Sequence, residues 1–391
     1  HTLTVCLLRV TSESCPRARI IEWGMRVAVE LRFTKYSVCT CAAYQSQSTD
    51  LRKCWFCDSC LFRIILSDNV PEFCVSWLFV SPMVYAQERF HREGRGLSVA
   101  FMKENLTGRN FGELVRAELF IRGLRFIHGL GFRDFGEPKG FVIETVHLKL
   151  KRLPRAFSGY RVAQISDIHM GGWMNTDRLQ QVADLILAQR PDVLMITGDF
   201  LQGRSFTEAA KQGIKDLRKI LTPLARSIPT FAVLGNHDYG TNPKAIRHML
   251  RSCGIIDLTN TVYSLTRENE NLYLCGVDDI RHGNVRLQDV TAQLAENSSA
   301  ILLVHEPDFA DTSAATEKFD LQISGHTHGG QIVIPFYGPP VLPDSGRKYP
   351  SGLYRVGNMF QYTNRGVGTD TVSVRLNCPP EVTIFVLESL G

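Results

Sequence analysis

Two aspartates, one asparagine and four histidines stand where short apolar runs of the chain stop. They occur in Asp167-Ile168-His169, Gly198-Asp199, Gly235-Asn236-His237-Asp238, His305-Glu306-Pro307 and Gly325-His326-Thr327-His328. Carboxylate and amide oxygens combined with imidazole nitrogens, and no thiolate among them, suit Mn, Fe, Zn, Ni or Co rather than a structural Cys-zinc knot. Seven such donors are too many for one ion. Two divalent ions about 3.5 to 4 Å apart, sharing one carboxylate, would use all of them and clamp both oxygens of an in-line phosphoryl displacement.

Each run is rich in Val, Ile, Leu and Met and is of strand length, which predicts strands buried on both faces. The donors therefore fall at strand ends, where loops of an open α/β sheet converge on a ligand while the sheet keeps them rigid. Within Asp167-x-His169 and His326-x-His328 an extended chain would point both side chains to one side. Between the strands, Asn175 or Thr176 caps a predicted helix with Leu179, Val182, Ala183 and Ile186 on one face, ended before Pro191. Further helices are predicted over about 206–221, from Asn242-Pro243 with Pro at the first position, and around 290–294. Segments 353 onward, among them 371–376 and 382–387, read as strands with no helix between them. Parallel units followed by such a tail predict two face-to-face sheets with helices outside, a four-layer α/β/β/α sandwich.

The motif set D-x-H, G-D, G-N-H-[DE], H and G-H-x-H resembles the calcineurin-like metallophosphoesterase superfamily, complete and in order. Leu153-Pro154, Gly329-Gly330-Gln331, Ser351-Gly352-Leu353-Tyr354, Arg365-Gly366-Val367-Gly368 and Asn377-Cys378-Pro379-Pro380-Glu381 resemble its bacterial YaeI/YkuE-like phosphodiesterase branch. The resemblance runs from about Glu137 to the C-terminus. It implies the same sandwich fold, a first metal on Asp167, His169, Asp199 and His328, and a second on Asp199, Asn236, His305 and His326. Asp199 would bridge them. His237, beside a ligand but not one itself, is the candidate general acid for the departing oxygen, with support of the neighbouring ligands as its alternative role. Phosphoprotein phosphatases of the superfamily carry a carboxylate three residues after the bridging Asp; this chain has Gln202 there, which argues against a protein phosphatase. Asp238 is a candidate supporting residue, and Arg365 or His282 a candidate contact for substrate phosphate.

The chain of 391 residues divides in expectation into residues 1–100 of no defined fold, an amphipathic connecting segment over 101–136, and a catalytic domain over 137–391. Eight of the 11 cysteines precede residue 75, and the three in the catalytic part, Cys253, Cys275 and Cys378, do not form a disulfide framework. Cys54-x-x-Cys57-x-x-Cys60 lacks the second pair of a zinc finger. The net charge of +5 demands no polyanionic partner, so no nucleic acid is expected. No signal peptide or spanning segment stands out, which predicts a cytoplasmic protein, with peripheral contact at the inner membrane face open through the basic amphipathic stretch 111–135. That stretch could equally be a helix docked on the catalytic domain.

Together these features predict a two-metal phosphoester hydrolase using a bridging hydroxide. The branch resemblance implies a substrate such as the lipid-linked pyrophosphate UDP-2,3-diacylglucosamine. A nucleotide phosphodiesterase or nuclease is the alternative within the class, and a non-catalytic interaction module on the same fold the alternative outside it.

Overall fold

Along the central strands, residues alternate between two apolar layers, which is why the runs read as continuously hydrophobic. In the computed structural model, which describes residues 136–390 together with Gly123, Val193 and Met195 face one layer while Leu194 and Ile196 face the other. The first sheet contains β1 (Val142–Leu150), β2 (Arg161–Ile165), β3 (Val193–Thr197), β4 (Thr230–Val233), β5 (Ile256–Asp257) and β12 (Glu381–Ser389). The second contains β6 (Thr261–Arg267), β7 (Glu270–Gly276), β8 (Ser299–Leu303), β9 (Leu321–Ser324), β10 (Gly352–Val356) and β11 (Met359–Thr363). Their orders are β1-β12-β2-β3-β4-β5 and β10-β11-β9-β8-β7-β6. The β2-β3-β4-β5 and β7-β8-β9-β11 pairings are parallel; β12 enters antiparallel to β2 and parallel to β1.

Between the sheets, Val162, Met195, Phe231 and Phe385 meet Leu274, Ile301, Leu303, Ile323 and Tyr362. Outside the first sheet lie α1 (Thr176–Ala188), α2 (Glu208–Ser227), the short α3 (Asn236–Thr241) and α4 (Pro243–Cys253). Leu179, Val182 and Ile186 of α1 and Leu217, Ile220 and Leu224 of α2 bury one stripe each against Ala163, Ile165 and Leu194. Asn175 caps α1 by accepting from the Arg178 amide, and Asn242 caps α4 by accepting from the Ala245 amide. Outside the second sheet, α5 (Leu287–Thr291) and α6 (Ala310–Ala314) join Cys275, Ala300 and Leu302 in a third apolar layer. The four-layer sandwich is thus present.

Some local expectations need correction. Residues 371–376 form no strand; they make a loop with one strand-like bridge, Leu376 to Ile332. Its apolar alternation packs Val374 with Ile332 instead, and Arg375 turns inward to bind carbonyl groups. The second helix runs past Leu221 to Ser227 with Pro223 inside it. Its fifth turn continues because the buried Leu224 keeps the helical stripe against the sheet. The three cysteines of this part are free and buried. The proposed division at 100, the Cys54/Cys57/Cys60 group and, apart from Gly123, the 111–135 stretch lie outside the described residues.

Candidate metal centre

All seven candidate donors leave the carboxyl ends of β2, β3 and β4 in the first sheet and of β8 and β9 in the second. Asp167, His169 and His328 come together as one group, and Asp199, His305 and His326 as another; within each group the candidate ligand atoms lie within 4.8 Å of one another. His169 Nε2 is 3.1 Å from His328 Nε2, and His328 Nε2 is 3.3 Å from Asp167 Oδ1. In the other group His305 Nε2 lies 3.2 Å from His326 Nδ1 and 3.2 Å from Asp199 Oδ2. The same Asp199 oxygen is 3.6 Å from His169 Nε2. Asp199 therefore stands between the groups.

The donor set fits divalent ions on several counts. Two ligands bound to one ion by bonds of about 2.1 Å lie about 3.0 to 3.4 Å apart, the length of both imidazole pairs. His305 donates from Nδ1 to the Thr197 carbonyl at 2.6 Å and His326 from Nε2 to the Asp344 carbonyl at 2.9 Å, which turns the other nitrogen of each ring toward Asp199. Asn236 Oδ1 is buried with no hydrogen-bond partner, although burial of an unpaired amide oxygen is costly.

Burial and neighbouring charges set the ionisation of these donors. Burial pushes the Asp167 carboxyl up to about 6, against the nearby His305. It would push Asp199 the same way, but the His305 and His237 imidazoles prevail and hold that carboxyl well below its usual range. Burial lowers His169 to about 4 and His326 to about 3, helped by the neighbouring imidazoles. Burial also holds His328 well below the ordinary value, whereas for His305 the charge of Asp199 overcomes burial and raises it strongly. Burial thus favours the unprotonated form of His169, His326 and His328, which is the form that binds a cation.

The two D-x-H and H-x-H pairs do not meet by strand alternation. Asp167, His169, Asp199, His326 and His328 all have φ between 48° and 71°, and Thr327 is in the right-handed helical region. Left-handed non-glycine backbone costs of order 1–3 kcal/mol per residue and persists only where surroundings impose it. Here the neighbouring main chain does so: the Asp167 and His169 amides donate to the Gly198 and Asp199 carbonyls at 3.0 Å each. The His326 amide donates to Asp167 Oδ2 at 2.9 Å.

Close approach explains the preceding glycines. A Cβ on Gly235 would lie 2.3 Å from Asp199 Oδ1 and 2.7 Å from His305 Cε1, and one on Gly325 only 1.8 Å from Ser166 Oγ. Gly235→Ala should weaken metal retention about 10- to 100-fold by displacing Asp199, as loss of a supporting contact does in metal sites. Isothermal titration with Mn would measure this; affinity within twofold of the parent would show that the site can yield.

Asp238 sits behind Asp199, accepting from the Asp199, Phe200 and Gly235 amides at 2.9, 2.9 and 3.0 Å. Burial and the Asp199 charge push its carboxyl up to about 7 despite those three donors. His237 donates its amide to Asp199 Oδ1 at 2.9 Å, and its ring packs edge-on to His169 with centroids 4.6 Å apart. Two sequence candidates fall elsewhere. Arg365 is clamped by Glu381 and by Glu144, the latter at 2.6 Å, so its guanidinium braces the β1-β12 side rather than awaiting phosphate. His282 is turned to Asp279, with Nδ1 3.2 Å from Oδ1, and belongs to neither group.

Three neighbours were not singled out in advance. Asp370 Oδ2 lies 3.7 Å from His237 Nε2. Gln331 accepts the Asp370 amide at 2.6 Å and donates to its carbonyl at 2.9 Å. Arg375, buried, donates to the Gly368 carbonyl at 2.7 Å and comes within 3.3 Å of His328 Nδ1, bracing that loop from behind. Only Gln331 carried a sequence signal, through Gly329-Gly330-Gln331.

This centre at the junction of two sheets is that of a metal-dependent phosphoesterase. The chain belongs to the calcineurin-like phosphoesterase family, whose model matches residues 160–330. It is 32% identical over 283 residues to the uncharacterized metallophosphoesterase YkuE of Bacillus subtilis, covering 71% of this chain and 95% of that one. It is 31% identical over 263 residues to the phosphodiesterase YaeI of Escherichia coli, covering 66% of this chain and 93% of that one. A transmembrane protein with a metallophosphoesterase domain from Danio rerio is 28% identical over 303 residues, with 73% and 65% covered. Among the described residues no helix is long and apolar enough to cross a membrane.

Proposed function

We propose that this chain is a two-metal phosphodiesterase or pyrophosphohydrolase whose substrate carries an apolar portion. The observation that carries the hydrolytic reading is Asp199 Oδ2 within 3.6 Å of both His169 Nε2 and His305 Nε2, a carboxylate within reach of both donor groups. Asp167, His169, Asp199 and His328 would hold one ion, and Asp199, Asn236, His305 and His326 the other. When bound, the ions supply the Lewis acidity that makes a water nucleophilic near neutral pH and offset charge on phosphorus oxygens. Asp238 holds the Asp199 loop by its amides, and Asp199 Oδ1 in turn fixes the His237 amide. His237 would give its proton to the departing oxygen.

The apolar preference is supported by the loop over 331–344. It leaves the centre at Gln331, whose side chain holds Asp370, and returns at Asp344, whose carbonyl accepts from His326. At its tip, Ile334 and Gly338 pair in a tight hairpin, leaving Phe336 fully exposed and Tyr337 70% exposed. Aromatic side chains held in water on a loop whose two ends meet the centre suit an acyl chain or a lipid surface.

Purified chain should hydrolyse bis-p-nitrophenyl phosphate with added Mn, lose at least about 100-fold of that rate on chelation, and recover on Mn addition, because both oxygens depend on the ions. Unchanged turnover in metal-free protein would remove the hydrolytic reading. With Mn, a detergent-dispersed lipid-linked pyrophosphate should be turned over faster than single-stranded DNA or cyclic nucleotides. Preference for either nucleotide class would replace the lipid reading by a nucleotide phosphodiesterase. Fewer than about one ion per chain in metal excess would favour a scaffold, since a two-metal site needs both.

A further inference from the structure

A general acid works only if its ring is held so that one nitrogen faces the departing oxygen. The place that carries a carboxylate in phosphoprotein phosphatases is occupied here by Gln202, which cannot anchor an imidazole by charge. We propose that Asp370, delivered from the C-terminal loop, is the positioning residue for His237, and that Gln202 serves to hold Asp370. This rests on the reading of the centre given above.

The geometry divides the carboxylate between two tasks. Asp370 Oδ1 accepts from Gln202 Nε2 at 3.2 Å and from the Thr371 amide at 2.7 Å. Oδ2 accepts from the Thr371 hydroxyl at 3.2 Å and faces His237 Nε2, 3.7 Å away. The opposite edge of the ring is tied down, with Nδ1 3.2 Å from the Gly203 carbonyl. A carbonyl can only accept, so Nδ1 carries a proton and Nε2 is the nitrogen that exchanges one. His169 stands edge-on to the ring at 4.6 Å and blocks the third direction. Rotation of the imidazole would lose the carbonyl bond and the carboxylate together.

Asp370 is itself immobilised from two strand ends that carry candidate ligands. Gln202 follows Asp199 beyond β3, and Gln331, which follows His328 beyond β9, grips the Asp370 main chain through both its amide and its carbonyl. Gln202 and Asp370 are 168 residues apart in the chain, so the partnership has no local sequence signature. At 3.7 Å the carboxylate attracts the ring without capturing its N–H in a short bond, which leaves that proton available. In the reaction a water oxygen bonds to phosphorus as the bond to the leaving oxygen breaks. The leaving oxygen keeps the bonding pair and takes the Nε2 proton, while the proton released by the attacking water passes to solvent, from which Nε2 is reprotonated.

Asp370 also lies with His169 and His237 in a group whose candidate ligand atoms are within 4.8 Å of each other, so a direct role as a metal ligand is the rival account. Asp370→Asn and Asp370→Glu in the full chain separate the two. Positioning predicts unchanged Mn stoichiometry in Asp370→Asn and a fall in kcat of about 10- to 100-fold with an alkyl-alcohol leaving group, part of the factor a general acid contributes. With a p-nitrophenolate leaving group the change should stay within about threefold, since that anion departs without a proton. Asp370→Glu should recover part of the loss, and Asp370→Asn should add nothing in a His237→Gln background. In 13C–1H spectra of the metal-free protein, the His237 ring should give the signals of a single fixed ring in the parent and signals broadened or doubled by ring motion in Asp370→Asn. Lower metal content with equal loss on both leaving groups, or identical spectra, would overturn the proposal. A parent without metal-dependent turnover would instead overturn the hydrolytic reading, and the spectra would still decide whether Asp370 holds His237.

Discussion

Asp199→Asn should lower kcat on bis-p-nitrophenyl phosphate by at least about 10³, with metal content falling to one ion or fewer per chain. Asp199 belongs to the group of His305 and His326 and also faces the other group, with Oδ2 3.6 Å from His169 Nε2 and 3.2 Å from His305 Nε2. The amide that replaces it has no charge to share between two cations. In one orientation it also turns an NH₂ group toward imidazole nitrogens that a cation needs. A loss of about 4 kcal/mol in transition-state stabilisation is about 10³ in rate. Metal analysis alongside kcat under saturating Mn checks both parts. Two retained ions with kcat within tenfold of the parent would remove Asp199 from the bridging position.

His237→Gln should act on chemistry rather than on metal binding. Its imidazole belongs to neither main donor group, whereas its amide holds Asp199 Oδ1 at 2.9 Å in a contact that Gln retains. For diesters of aliphatic alcohols kcat should drop about 10²- to 10⁴-fold, the usual contribution of a proton donor. For p-nitrophenyl esters the drop should be less than about tenfold, because a weakly basic anion needs little help. A plot of log kcat against leaving-group pKa, steeper in the variant, is the measurement. Parallel plots would assign His237 to support of the ligands alone.

The sandwich and the meeting of the donors could be read in advance because each donor sits directly after a strand buried on both faces. Val193, Leu194, Met195 and Ile196 announce such a strand, and Asp199 follows it. Asn175 and Asn242 announced their helices for the same local reason. What escaped depended on backbone or distance. Positive φ at Asp167, His169, His326 and His328 has no composition signal, so extended alternation was the natural and mistaken basis for those pairs. Segment 371–376 has strand-like alternation, but Arg375 is drawn inward by carbonyls of other loops. Arg365 looked like an open loop cation until Glu144, 221 residues away, was brought beside it. Asp370 reaches His237 only through the fold.

The donors are divided between the carboxyl ends of β2, β3 and β4 on one side and β8 and β9 on the other. Bound cations would therefore act as rivets through the seam of the sandwich, joining halves that also meet through apolar contact and side-chain hydrogen bonds, among them Gln164 to the Ser324 carbonyl at 2.9 Å and the Tyr362 hydroxyl to Glu381 at 2.7 Å. Each ion present at 100 times its dissociation constant would add about 2.7 kcal/mol to the folded state. Stripping them would remove that contribution at the end of the sandwich where the donors sit, so that activity and stability would decline together.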